Sequence, residues 1–214
     1  MKTRRVLLAS FVALAVSACA SSYRVVQVPQ YGADLYPQSQ TRAGVTVAID
    51  EMKGAERVER LFGADLVAEG ILPVNIVVSN FGKQRLLVKP SDILLHRGRE
   101  VIDPVPVEMV MAMAKRQKSF LRASTEEEVD RYFEQATFKE TALYPNETYR
   151  GVLFFAVPAP KRLADRFFTQ LSVFRDGGPK MRVGLTNVES GERVLFAPFP
   201  ITLPGDAGRF SYWD

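Results

Sequence analysis

The chain has 214 residues, 28 Lys and Arg against 24 Asp and Glu, one His and one Cys. A single Cys excludes an internal disulfide, and a single His excludes the multi-histidine clusters that hold most catalytic zinc ions. With Lys2, Arg4 and Arg5 set aside the charges nearly balance, so no bulk field draws the protein to nucleic acid.

The chain opens with the cationic stretch Met1–Arg5, followed by the apolar run Val6–Val16 and the small residues Ser17 and Ala18 before Cys19. Charged, apolar and small-residue segments in that order form a secretory signal. The apolar run falls short of the roughly 20 residues that a membrane-spanning helix needs, so it reads as a cleaved signal. Val16-Ser17-Ala18-Cys19 resembles the lipobox of bacterial lipoproteins, which runs aliphatic, small, small, Cys. The resemblance covers the first 19 residues. It implies a lipidated Cys19, cleavage after residue 18, and acylation of the new amine. Position 20 is Ala and not Asp, which in enterobacterial-type sorting implies delivery to the outer membrane. Each buried methylene contributes about 0.8 kcal/mol, so three acyl chains on one Cys make attachment effectively permanent.

Residues 19–43 read as a lipidated tether. Pro29, Gly32 and Pro37 interrupt any regular element. Tyr23, Tyr31 and Tyr36 are expected to pack back on the domain or to sit near lipid headgroups. From Gly44 the pattern changes, and the β-branched alternation of Val45–Ile49 predicts a strand. Ala55–Phe62 predicts a short helix, with Val58, Leu61 and Phe62 at helical spacing. Ile71–Asn80 is a strong strand, followed by strands at Arg85–Val88 and Asp92–His96. The Arg97–Glu100 turn leads to Val101-Ile102.

Pro104 and Pro106 end the β pattern, and residues 103–137 read as an inserted helical pair. Val107–Phe120 carries Val107, Val110, Met111 and Ala114 on one face. Ser124-Thr125-Glu126-Glu127 fits a capping box that opens a second helix with a stripe of Val129, Tyr132, Phe133 and Ala136. Strands return at Tyr149–Val157, Phe167–Arg175, Met181–Val188 and Arg193–Ile201, and residues 206–214 form a C-terminal tail. About eight strands with regular turns predict a mainly β chain. The expected fold is an antiparallel β-sandwich over residues 44–205 with a helical insertion. The pattern is similar to immunoglobulin-like sandwiches of bacterial envelope lipoproteins, without the Cys-Trp-Cys set of antibody domains.

No constellation for catalysis stands out. A Ser-His-Asp triad has only His96 to draw on, no Gly-x-Ser-x-Gly elbow is present, and the glycines are dispersed through turns. Glu126, Glu127, Glu128 and Asp130 fall in a first helical turn, where they favour the helix dipole and face water. Met109, Met111 and Met113 alternate, and thioethers are soft ligands for Cu(I). On a helix, however, residues two apart point about 200° away from each other, so the three sulfurs diverge. Met109, Met111 and Met113 with Lys115 and Arg116 read instead as a candidate contact surface, apolar with a basic flank.

The sequence therefore predicts a lipid-anchored, non-catalytic binding or scaffolding module of the bacterial cell envelope. Its location is the outer membrane, facing the periplasm. Expected partners are the membrane, through Cys19, and another envelope protein, with no nucleic acid, no metal and no cofactor. A carrier of lipid or another hydrophobic ligand, and an envelope hydrolase with an unrecognised site, are the competing readings.

Overall fold

The computed structural model describes residues 31–117, 126–157 and 178–203. Strand β3, Ile71–Asn80, is buried at every position. Strands β1 (Ser39–Arg42), β2 (Val45–Glu51) and β8 (Thr148–Ala156) join it in a four-stranded sheet of order β1-β2-β3-β8. The second sheet has seven strands. They are β4 (Leu86–Val88), β5 (Ile93–Arg97), β6 (Glu100–Ile102), β7 (Thr141–Leu143), β9 (Lys180–Asn187), β10 (Arg193–Leu195) and β11 (Phe199–Pro200). Its main path runs β6-β5-β9-β4-β7, with β10 and β11 also on β9.

The period of two along each strand sorts the side chains. One face of the four-stranded sheet presents Val45, Val47, Ile49, Leu72, Val74, Ile76, Val78, Leu153 and Phe155. These share one core with Leu86, Val88, Ile93, Leu95, Met181, Val183 and Leu185 of the other sheet. The opposite face carries Ile71, Val152 and Phe154, packed under three helices. These are α1 (Ala55–Phe62), α2 (Val107–Lys115) and α3 (Glu126–Ala136). Phe62, Tyr132, Phe133 and Phe154 meet edge-on or tilted, with ring centroids 5.4–6.2 Å apart, and join α1 and α3 to β8.

Pro73 sits inside β3, although proline cannot donate to a ladder. Its carbonyl accepts from Met52 N at 3.0 Å just beyond the last β2 residue. Its missing N–H therefore faces the side where β2 has ended, because the N–H and C=O of a strand residue point the same way.

Several expectations need correction. The fold is mixed α/β, not mainly β: the described residues hold eleven strands, and their three helices form a layer on the sheet. Arg193–Ile201 splits into β10 and β11 around Phe196–Pro198. Strands β1 and β7 were not expected, because each is short and leaves at most one residue buried. The stretch read as tether is folded well before residue 43. A 3-10 turn at Ala33–Leu35 covers Ala48 and Val77, and β1 pairs with β2. Helix α2 is nine residues long, shorter than the expected Val107–Phe120. The Ser124 cap, the Phe167–Arg175 strand and the C-terminal tail lie outside the described residues.

The chain returning from α3 crosses β8 at close range. Phe138 N donates to Val152 O at 3.0 Å, and a Cβ on Gly151 would lie 2.5 Å from Phe138 Cα. The obstacle is backbone, which cannot rotate away. Gly151→Ala is expected to cost about 3 kcal/mol, the upper end for overpacking, as a lowered urea midpoint. A variant within about 0.5 kcal/mol of the parent would refute this reading of the crossing.

Candidate functional site

Cys19 lies outside the described residues. The candidate contact residues on α2 do not converge. Met109 is 58% exposed, while Met111 and Met113 are half-buried and pack on the cluster beneath the helices. Lys115 Nζ is 2.6 Å from Asp130 Oδ1 on α3, so it ties the two helices together. Arg116 is exposed at the C-cap. Met109 is thus set apart from Met111 and Met113, which share that cluster. Among the described residues, no group of three or more His, Cys, Asp or Glu is placed to hold a metal ion.

Sequence reasoning passed over a polar cluster on the helix-covered face of the four-stranded sheet. Asp50 on β2 stands directly across from Asn75 on β3, and Arg150 on β8 stands across from Val77. Arg57 reaches down from α1 and holds Asp50 in a two-pronged pair, Nη1 donating to Oδ1 at 2.8 Å and Nη2 to Oδ2. Tyr36, just after the 3-10 turn, completes the group. Burial pushes its phenol above the ordinary range, and the Asp50 charge pushes the same way. The Asn75 amide, Arg150 and Arg57 offset part of this. The hydrogen bond to Asp50 raises the Arg57 guanidinium further, against the effect of burial.

Asn75 is 1% exposed, and its Nδ2 has no partner in hydrogen-bonding geometry among the described residues. The phenol is near enough for the amide to ease its ionisation. A phenol held protonated, a paired carboxylate and two guanidiniums supply donors and fixed charge, not a nucleophile with its base. The arrangement is suited to fastening. It pins the segment that arrives from the N-terminus onto the sheet.

That segment is held at further points. Ala33 N donates to Ser79 Oγ at 3.1 Å. Gln38 Nε2 donates to the buried Glu51 at 3.1 Å, and the same carboxylate accepts from Thr202 N and pairs with Lys53. Gln40 donates to the carbonyl of Ala197, between β10 and β11, and Arg42 to that of Leu195 at the end of β10. Thr41 and Thr46 face each other across the hairpin, their hydroxyls 2.9 Å apart. Nothing local, however, links Tyr36 to Asp50, Asn75 and Arg150.

No protein-family model matches the sequence, and no curated protein matches it. Solved structures give distant likenesses. One is ycdA of Bacillus subtilis, provisionally described as a lipoprotein, at 14% identity and a TM-score of 0.36. That match covers 74% of this chain and 37% of ycdA, so the chain spans well under half of that protein. The yjhA protein of Bacillus subtilis matches at 11% identity and a TM-score of 0.38, covering 75% and 95%. A Listeria monocytogenes protein of unknown function matches at 12% and 0.35, covering 77% and 82%. Likenesses this weak carry no argument about function.

Two outcomes test the cluster. Asp50→Asn leaves Arg57 without its charged partner and is expected to cost about 1.5–3 kcal/mol, the range for hydrogen bonds to charged groups. Denaturant unfolding checks it, and an unchanged midpoint refutes it. Tyr36 binds its proton more tightly folded than unfolded, so its contribution is complete below the ordinary phenol value of about 10 and is lost as pH rises through the higher folded value. The stability of the parent minus that of Tyr36→Phe should be flat up to pH about 9 and fall above about 10. A difference that stays flat throughout would remove Tyr36 from the account.

Proposed function

We propose that the protein is a lipid-anchored, non-catalytic binding or scaffolding module of the bacterial cell envelope. It is held in the outer membrane through Cys19, faces the periplasm, and contacts another envelope protein. The observation that carries this is the position of the single Cys, directly after Val16-Ser17-Ala18 and an export-type apolar run. The firm lacing of residues 33–42 to both sheets supports it, because an anchored domain needs a fixed attachment. The paired sheets are read as an immunoglobulin-like sandwich, supported by antiparallel pairing between the named strands and one core shared by both sheets. The proposed contact surface is the outward side of α2, where Met109 and Arg116 are exposed. Met111, Met113 and Lys115 hold that helix in place.

Two measurements test this. Intact mass of the protein purified from its own envelope should correspond to a chain starting at an acylated Cys19, and Cys19→Ser should abolish acylation and release the protein from membranes. A chain found unacylated removes the anchor. Photo-crosslinking in cells from position 109 should capture one envelope protein that a probe at Leu195, on the other sheet, does not. Equal capture from both positions removes α2 as the contact surface.

A further inference from the structure

We propose that one end of the domain rests on the bilayer that holds Cys19, through Tyr31, Phe81 and Tyr144. This rests on the lipid-anchor reading above and adds an orientation to it. The sheets give the molecule two ends. Asn80 of β3, Thr148 of β8, Leu86 of β4 and Asn187 of β9 all lie at one, here the proximal end. The β5–β6 turn with Arg99 lies at the other, because His96 pairs with Lys180 at the opposite end of β9. Eight residues of β9 separate the ends by about 23 Å.

The N-terminal segment meets the fold at the proximal end. Ala33 N donates to Ser79 Oγ, on the residue before Asn80, and Tyr31 precedes Ala33 by two residues in the chain. Cys19 precedes Tyr31 by about a dozen residues, a contour of at most about 40 Å. A lipid anchor at Cys19 would therefore hold this end within about 40 Å of the membrane and join the domain here, not at the β5–β6 turn.

The same end exposes aromatic rings. Tyr31 is 56% exposed, Phe81 58% and Tyr144 50%. Their loops are braced. Buried Asn80 accepts from Gly82 N through Oδ1 and donates through Nδ2 to the carbonyls of Gln84 and Leu143. Phe81 N donates to Gly44 O at 2.8 Å, and Asn146 N to Asn80 O. The Arg85 guanidinium lies 5.7 Å over the Tyr144 ring. Asn187 caps the neighbouring turn through Glu189 N and Ser190 N. Rings on fixed loops, with polar backbone behind them, suit the headgroup region of a bilayer, where amphipathic aromatics concentrate. Charge at this end is mixed: Arg42, Lys83 and Arg85 stand against Asp34, Glu147, Glu189 and Glu192. Contact therefore depends on the rings and not on anionic lipid.

The test uses the full lipidated protein, whose acylated Cys19 leaves no free thiol, in vesicles of phosphatidylcholine and, separately, of phosphatidylethanolamine with phosphatidylglycerol. An environment-sensitive fluorophore is placed at Lys83→Cys, Ser190→Cys or, as the distal control, Arg99→Cys. The expected result is a blue shift and several-fold stronger quenching by doxyl lipid at 83 and 190 than at 99, alike in both lipid mixtures. Adding Phe81→Ser with Tyr144→Ser should remove the difference while the protein still floats with vesicles. Flotation with equal quenching at all three sites overturns the docking and leaves the anchor intact. A shift at 83 without lipid quenching identifies contact with another copy of this chain instead and also overturns it. Failure to float overturns both the anchor and the docking.

Discussion

A strand buried along ten residues on both faces is the constraint from which the rest of this fold follows. β3 presents Leu72, Val74, Ile76 and Val78 to one side and Ile71, Asn75, Val77 and Ser79 to the other, and water reaches neither. Burying one large aliphatic side chain is worth about 1.5–3 kcal/mol. Leaving either face open would forfeit several such contributions and expose the sheet. The seven-stranded sheet covers the first face. The second cannot be covered by one element, so α1, α2 and α3 take one part of it and the 3-10 turn with Tyr36 takes another. The inserted helices are thus a layer of the core.

The sequence made the β3 strand, β8 and α1 legible because their signals are local. Ile71–Asn80 is apolar over a strand's length, and Val58, Leu61 and Phe62 recur at helical spacing before a Gly63 in the left-handed conformation that ends the helix. It did not make the helical layer legible, since an amphipathic stripe shows that a helix is covered, not by what. It left Tyr36 between packing on the domain and lying near lipid, and the structure packs it beside Ala48 and Val77. A polar edge strand such as Ser39–Arg42 has no buried period to read, and its evidence lies in hydrogen bonds to residues 195 and 197. Of the candidate contact residues, only Met109 and Arg116 are exposed. The role of Lys115 needed Asp130, which lies on another helix.

The same geometry explains why charge is tolerated beneath the helix layer. Asp50 and Asn75 face each other at the seam between the helices and the 3-10 turn, where neither cover alone excludes water. A carboxylate there is stable only if paired, and Arg57 supplies a fork of two donors that matches it. The pairing couples α1 to the segment arriving from the N-terminus, since the Asp50 charge also acts on Tyr36. Attachment and core are one construction: pulling on residue 33 meets the sheet through Ser79, Tyr36 and the β1–β2 ladder before it reaches a loop.

The two ends of the sheets then divide the work. If Cys19 carries the proposed lipid, the dozen residues between it and Tyr31, extended, would let an unrestrained domain range over about 40 Å above the bilayer. In that case the position of α2 would be set by the tether. With the proximal end seated on lipid, the height of α2 is set by the strands instead. Helices α2 and α3 pack on Val152 and Phe154, toward the end of β8 away from Phe81 and Tyr144, so a seated proximal end would carry Met109 clear of the membrane. Strand length is fixed to within a residue by the hydrogen-bonded register of β3 with β8, whereas a tether's span fluctuates. A partner that must be met at a defined distance from the membrane is better served by the first, and in the proposed arrangement the aromatic loops would convert the anchor into a seat.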